Sequence, residues 1–546
     1  MIKRFVLGSV LLTVFAIGIA QPVAKKNTLK KLPRPKLVVG LVVDQMRWDF
    51  LYRYYNKYGA GGFRRLLDQG FSAENTMIPY ALTVTAAGHA CVYTGSVPAL
   101  NGIVGNEWYS RALGRDVYCV EDEGVTIIGG SARSEPMSPR NLWATTITDQ
   151  LRLATNFKSK VVGISIKDRG SILPAGHFGS AYWYADNGNW VTSSYYGSQL
   201  PEWVSNFNGK KYADSFYAKE WTLKNPLSSY TDSDKDSSLY EGKFAYEGAP
   251  VFPHKTSNYI GVNYGFIRGT PYGNSLTLKF AEAALVAEKL GKGEQTDFLA
   301  VSCSSTDYVG HMFGPNSVET EDTYLRLDAE LADFFNALDK QVGKGQWTIF
   351  LTADHGVAHV PRFLKNNGLN VAALPSSSAA LQASLESKFQ VKNLISSTSN
   401  YQIYLNRRRI DSAKLSITDI KQHLIDRLNA DSNVLMAFDA EEISAVNLPT
   451  EVKERFLKGF NQKLSGDIQI VLKPGFFNGY QTGTTHGTWN PYDAHIPFVM
   501  MGWGVKPGRL YRETYMTDIA PTIAALLHIQ MPDACIGKPV PEALLY

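Results

Sequence analysis

The sequence predicts an α/β protein built on a doubly wound, mostly parallel sheet with inserted cap segments. Three observations predict it. Short unbroken apolar runs recur at residues 36–43, 161–166, 297–303, 347–352 and 496–501, the pattern of strands buried on both faces. Helical periodicity fills the intervals at about 141–154, 275–291, 317–341 and 516–528, the alternation expected of a parallel sheet. Four of the five apolar runs are also followed within four residues by acidic, basic or imidazole side chains, and in open α/β sheets ligands bind beyond the carboxyl ends of the strands.

Taken in order, residues 1–20 read as an export signal. Lys3 and Arg4 precede a mostly apolar stretch from Phe5 to Ile19 that ends in small residues at Ala20. The run is too short and too interrupted by Gly8, Ser9 and Gly18 for a membrane span, and no other stretch is long and apolar enough to cross a bilayer. Residues 21–35 form a basic leader. Residues 36–546 then form the main domain, broken by an aromatic-rich insertion at about 175–270 and a small α+β insertion at about 362–482. Asp232, Asp234 and Asp236 begin like a calcium loop, but Lys243 stands where such a loop needs its final Glu, so a solvated polar loop is the better reading. Net charge falls from +5 to +3 once Lys3 and Arg4 are removed, which gives no sign of nucleic-acid binding. The four cysteines, Cys91, Cys119, Cys303 and Cys535, are too scattered for a zinc knuckle; an exported chain could pair them in up to two disulfides, and their pairing is not readable.

The strand ends carry the chemistry. Asp44 follows the first run, Lys167 and Arg169 the second, Asp307 and His311 the third, Asp354 and His355 the fourth, and His486 precedes the fifth. One Asp after a strand is a turn residue by default; matching chemistry at four strand ends is harder to assign to turns. Three carboxylates and three imidazoles with no thiolate suit zinc, manganese or iron. Six ligands exceed one tetrahedral ion and fit two ions sharing a site. Between the first two runs lies Thr83-x-Thr85-x-x-x-His89, at a loop-to-helix junction, with Asn106 twenty-one residues after Thr85. A Thr before a helix is most often an N-cap; beside a metal its hydroxyl can serve as a nucleophile. Lys167 and Arg169 add two cations suited to a phosphate.

These residues resemble the alkaline phosphatase superfamily. The pattern runs Thr83-x-Thr85-x-x-x-His89, Tyr93-Thr94-Gly95-Ser96-x-Pro98, Gly105-Asn106, Asp307-Tyr308-x-Gly310-His311, Ala353-Asp354-His355-Gly356 and Thr484-Thr485-His486-Gly487. It is most similar to the phosphate-irrepressible alkaline phosphatases, near the type I nucleotide pyrophosphatase/phosphodiesterase branch, over about 36–546. The resemblance implies a secreted or periplasmic phosphomonoesterase with two Zn2+ ions per chain, acting through a phosphothreonine at Thr85. It implies Asp307, His311 and His486 for one zinc, and Asp44, Asp354 and His355 for the other, which also binds Thr85. Asn106, Lys167 and Arg169 would hold the phosphoryl oxygens, and the Lys-x-Arg pair is the mark of the monoesterase branch. His89 and His359 fall within the motifs but are not ligands in that template. His177, His254, His423, His495 and His528 are expected to be structural or exposed.

The expected partners are small phosphate monoesters, with no specific nucleic-acid partner and a monomeric chain. Two other readings stand beside this one: a phosphodiesterase or nucleotide pyrophosphatase on the same core, and a non-catalytic envelope protein that binds phosphate or zinc.

Overall fold

The computed structural model describes residues 33–131, 134–374, 378–479 and 482–545. The expected export signal and most of the basic leader lie outside them. The first apolar run forms Leu37–Val43 (β1), in which no residue reaches solvent. Seven consecutive apolar residues require this, because successive side chains point to opposite faces. The central sheet also holds Phe71–Met77 (β2), Val161–Ser165 (β3), Ser180–Tyr184 (β4), Trp190–Ser193 (β5), Asp297–Cys303 (β6), Trp347–Thr352 (β7) and His495–Gly502 (β8). Their spatial order is β2-β8-β7-β1-β6-β3-β4-β5, with further short strands at the edges. The five central strands, β7 to β4, are parallel. The neighbour β8 is antiparallel to both β7 and β2, and β5 is antiparallel to β4.

The helices that position the site are Thr85–Thr94 (α1), Asp168–Ala175 (α2), Tyr272–Ala287 (α3), Ser305–Phe313 (α4), Val318–Gln341 (α5) and Ile519–Leu527 (α6). Two differ from the periodicity. The helix expected from residue 141 begins at Ile147, because Thr146 accepts from the Asp149 backbone N–H while the Asp149 side chain accepts from the Thr146 N–H, a reciprocal cap that fixes the start. The helix expected over 516–528 opens with a 3-10 turn, Met516–Asp518, and stops at His528, which turns left-handed at φ 50°.

The aromatic-rich segment does not lie wholly outside the sheet. Its first part supplies β4 and β5, whose Tyr and Trp residues favour strands. Trp190 stacks on Phe280 of α3 with ring centroids 4.0 Å apart, so the aromatics here pack the sheet against its helix. The rest consists of short helices and 3-10 turns. Its acidic residues do not converge as a calcium loop would: Asp232 pairs with Lys57, Asp234 accepts from Tyr240, and Asp236 from the Phe252 N–H. Residues 395–472 build a separate four-stranded antiparallel sheet, in the order 395–399, 402–405, 468–472, 434–439. The helix Ile417–Asn429 covers it with Ile420, Leu424 and Leu428. All four cysteines are free thiols, and among the described residues no helix is long and apolar enough to cross a membrane.

His254 is a structural residue held by charge. Its Nδ1 lies 3.1 Å from both Glu247 oxygens and its Nε2 3.3 Å from Glu319 Oε1. Burial opposes protonation, but the two carboxylates outweigh it and raise the imidazole to about 9. A raised folded-state value contributes stability that is complete below the free-histidine value and disappears as pH rises through the folded one. The stability gap between wild type and His254→Gln should therefore be about 2 kcal/mol near pH 6 and shrink toward zero by about pH 10. Urea unfolding of both proteins across that range checks it; a gap that stays constant would remove the charged pairing from the account.

Candidate active site

Because β1, β3, β6 and β7 run parallel, the residues after them arrive at one edge. Asp44 follows β1, Lys167 follows β3 and caps α2, Asp307 lies in the first turn of α4, and Asp354 and His355 follow β7. His486 precedes β8, yet it reaches the same edge, because β8 is antiparallel: Phe498 pairs with Thr352, the last residue of β7, so the start of β8 extends past the carboxyl end of β7. All six acidic and imidazole candidates gather in two groups, Asp307 with His311 and His486, and Asp44 with Asp354 and His355; within each, one ligand atom per residue lies within 4.8 Å of the others.

The donor set fits metal cations. Each of the three histidines donates Nδ1–H to a backbone carbonyl: His311 to Thr484 at 2.8 Å, His355 to Gly356 at 2.9 Å, and His486 to Thr83 at 2.7 Å. That choice of tautomer turns each Nε2 lone pair toward the carboxylates. His311 Nε2 is 3.2 Å and His486 Nε2 3.6 Å from Asp307 Oδ1; His355 Nε2 is 3.6 Å from Asp44 Oδ1 and 3.5 Å from Asp354 Oδ2. Burial keeps His355 and His486 neutral, so there lone pair faces lone pair, while at His311 Asp307 outweighs burial and raises the imidazole. Asp44 Oδ1 and Asp354 Oδ2 are buried and accept no hydrogen bond, which is costly unless a cation completes them. The imidazoles of His355 and His486, one from each group, stack with centroids 3.5 Å apart.

The electrostatics match. Burial and the neighbouring Asp354 push the Asp44 carboxyl well above the usual carboxylate range. Burial would raise Asp307 too, but the Lys167 ammonium and His311 outweigh it and hold that group well below. Burial, with His355 and His311 beside it, drives His486 well below the ordinary imidazole value, so it stands neutral with its lone pair available. Lys167 is almost fully buried and bridges the two groups, 2.8 Å from Asp44 Oδ2 and 2.7 Å from Asp307 Oδ2. Three carboxyl groups face this one ammonium, so with all three ionised the cluster carries a negative excess.

Thr85 is the first residue of α1 rather than its cap; Val84 holds the cap position. The Thr85 hydroxyl is thus not spent on capping. Its Oγ1 lies 3.4 Å from Lys167 Nζ and 3.5 Å from His355 Nε2. Asn106 Oδ1 accepts from the Ala86 N–H at 2.9 Å, which leaves the amide NH2 as its outward donor. Arg169 is placed differently from Lys167: its Nη1 donates to Tyr118 OH at 2.8 Å, and that hydroxyl donates to Asp168 Oδ1 at 2.6 Å. His89 is a brace, donating Nδ1–H to Thr85 O at 2.9 Å and accepting at Nε2 from Ser302 at 2.9 Å. His359 lies between Arg47 and Asn316, and burial with Arg47 and Arg53 lowers it to about 4. It is a neutral packing residue. His177, His423 and His495 likewise bind Asp149, Ser384 and the Glu74 carbonyl.

Residues beyond the sequence reading complete the site. Gln45 donates Nε2–H to Asp307 Oδ1 at 2.6 Å and its backbone N–H to Asp354 Oδ1 at 3.1 Å. A chain of hydroxyls, Ser302 to Ser304 to Ser165, each step 3.1 Å, runs from His89 to the Lys167 backbone N–H. Tyr118 orients Arg169. Only the adjacency of Gln45 to Asp44 could have flagged any of them; the serines look like ordinary strand and turn residues.

Residues 38–495 match the profile of the family described as type I phosphodiesterase / nucleotide pyrophosphatase. The chain is 51% identical over 513 residues to alkaline phosphatase PhoV of Synechococcus elongatus, covering 94% of this chain and 93% of the relative. It is 48% identical over 519 residues to alkaline phosphatase PafA of Elizabethkingia meningoseptica, covering 94% and 95%. A Myroides odoratus relative, 49% identical over 524 residues and covering 94% and 96%, bears the name calcium-transporting ATPase. The crystal structure of wild-type PafA superposes with a TM-score of 0.92 at 48% identity, over 94% of this chain and 100% of that one.

The placement of Thr85 depends on a glycine. A Cβ on Gly88 would land on the Asp354 carbonyl oxygen and 2.6 Å from Asp354 Cβ, so α1 can approach the end of β7 only because residue 88 has no side chain. Ala is the better helix former by about 1 kcal/mol, yet Gly88→Ala should lower stability by about 1–3 kcal/mol through this clash. Thermal unfolding checks it. A melting temperature at or above that of the wild type would mean the helix can shift without cost.

Proposed function

Because the chain belongs to the type I phosphodiesterase / nucleotide pyrophosphatase family, and is 48–51% identical to alkaline phosphatases over nearly its whole length, we propose that it is an alkaline phosphatase, hydrolysing phosphate monoesters to an alcohol and inorganic phosphate. The observation that carries this reading is the buried Lys167 ammonium beside the uncapped Thr85 hydroxyl, 3.4 Å away, at the meeting point of two groups suited to metal ions.

In this proposal Thr85 Oγ1 attacks phosphorus as the bond to the alcohol oxygen breaks, and the phosphoryl group passes to the threonine. Water then cleaves the phosphothreonine, restoring the hydroxyl and releasing phosphate. Zinc ions held by Asp307, His311 and His486, and by Asp44, Asp354 and His355, would supply the Lewis acidity that a threonine nucleophile needs. The protein's own groups do the rest. His89 holds the Thr85 carbonyl and so the first turn of α1. Lys167 uses two donors on Asp44 and Asp307; an ammonium has three, and the third is directed, over a long 3.4 Å, at Thr85 Oγ1, where a phosphoryl oxygen would take it over. Asn106 offers its NH2 to another, and Arg169, steadied by Tyr118, to a third. A monoester dianion carries one more charge than a diester, so two cations favour it.

The proposal extends to an exported, periplasmic or secreted protein, on the strength of the signal-like residues 1–20. Diester hydrolysis on the same core is the second reading, favoured by the family's own description. A non-catalytic phosphate or zinc binder would not need an uncapped hydroxyl beside the metal groups. The transport named for the Myroides odoratus relative forms no part of the proposal.

The deciding measurement compares kcat/KM on matched aryl phosphate mono- and diesters with zinc-loaded protein. The expected result is a monoester preference of at least about 100-fold, or about 2.7 kcal/mol; a diester preference would sink the monoesterase assignment. Thr85→Ala should lose roughly a thousandfold or more in kcat while retaining bound metal, and a variant that keeps its turnover would exclude Thr85 as the nucleophile.

A further inference from the structure

We infer that Gln45 is a positioning residue that joins the two metal groups and sets the metal affinity of the one built on Asp307. The inference rests on the metal reading proposed above.

Gln45 is 2% exposed and sits directly after Asp44. It grips one carboxylate from each group, by different means. Its backbone N–H donates to Asp354 Oδ1 at 3.1 Å, an oxygen that also accepts from the His355 N–H at 3.0 Å. Its side-chain amide donates to Asp307 Oδ1 at 2.6 Å. That oxygen is the one His311 Nε2 and His486 Nε2 face, at 3.2 and 3.6 Å. With Lys167 on Oδ2 at 2.7 Å and Gln45 on Oδ1, the Asp307 carboxylate is fixed in rotation, with a lone pair of Oδ1 presented to the two imidazoles.

Two further features indicate that the side chain is kept for this contact. Gln45 has φ 65°, a left-handed conformation that glycine adopts freely and a longer residue only with strain. A position chosen for the turn alone would suit Gly. Across from it, Gly310 of α4 leaves the space that the amide oxygen fills: a Cβ there would collide with Gln45 Oε1 and sit 3.1 Å from its Cδ. Gln45 and Gly310 fit each other within the Asp307 group.

The separation of backbone and side-chain roles yields a selective test. Gln45→Gly relieves the left-handed strain, keeps the N–H to Asp354 and deletes only the amide. Gln45→Leu keeps the bulk and deletes the donor. Full-length wild type and both variants are dialysed against graded free zinc, the bound metal is counted by atomic emission, and the metal-free proteins are melted in parallel. The melts establish that both metal-free variants fold cooperatively; in Gln45→Gly relief of the left-handed strain offsets part of the lost bond to Asp307. In both variants one of two zinc ions should weaken by about 10–100-fold, with the second unchanged. The weakened ion should be the one that His311→Ala also loses. Wild-type affinity for both ions in the two variants would overturn the inference. So would equal weakening of both ions, which a general scaffolding role would produce. If wild type itself takes up no zinc, the metal reading fails first and this inference with it; if wild type holds two ions and the variants do too, only Gln45 is misassigned.

Discussion

Buried negative charge at one edge of the sheet is the constraint on which the rest of the structure depends. Asp44, Asp307 and Asp354 are withdrawn from water almost completely, and only one ammonium, Lys167, lies among them. Unpaired carboxylates in such a setting cost several kcal/mol each. The fold accepts this cost and surrounds the charge with groups that favour more cations: three imidazoles with Nε2 turned inward, two of them lowered in pKa by burial, and a hydroxyl not used as a cap. Two divalent ions would turn the excess positive, the sign a phosphate dianion requires. In the proposed function, cation binding and substrate binding would thus be successive answers to the same charge.

Much of this was legible in the sequence, and the reason is geometric. Parallel strands deliver the residues after them to one edge, so an acid following an apolar run can be assigned to a shared site without knowing strand order. Asp44, Lys167, Asp307 and Asp354 were legible in this way. The spacing of Asp307 and His311 added a second signal, since residues four apart share a helix face. His486 is the exception that shows the rule. It precedes its strand, and it belongs to the site only because β8 runs against its neighbours, a direction that the apolar run itself does not encode.

What stayed hidden depends on contacts between residues far apart in the chain. Gln45 reads as a turn residue until its amide is seen on Asp307, 262 positions away. Ser165, Ser302 and Ser304 form a chain only because β3 and β6 are neighbours. The strands β4 and β5 were obscured by aromatic composition, which suggested a cap where the structure has sheet; Tyr and Trp serve both, and periodicity over four or five residues does not separate them. Arg169 was legible as a cation after a strand, but its anchor, Tyr118, carried no signal at all.

The small sheet of residues 395–472 bears on the site more than its sequence position suggests. The tip between its first two strands, Asn400 and Tyr401, is left-handed at both residues, a tight turn that projects the two side chains outward. Asn400 Nδ2 donates to Glu107 O at 2.7 Å, beside Asn106. Gly487, beside His486, turns at φ 111°, and a Cβ there would meet Tyr401 Cε2, Val84 Cγ1 and Leu82 Cδ1 at 3.7–3.9 Å. One hairpin tip therefore holds the neighbour of Asn106 by a hydrogen bond and packs beside Gly487, the neighbour of His486. Asn106 and His486 come from separate stretches of chain, and the insertion packs beside both.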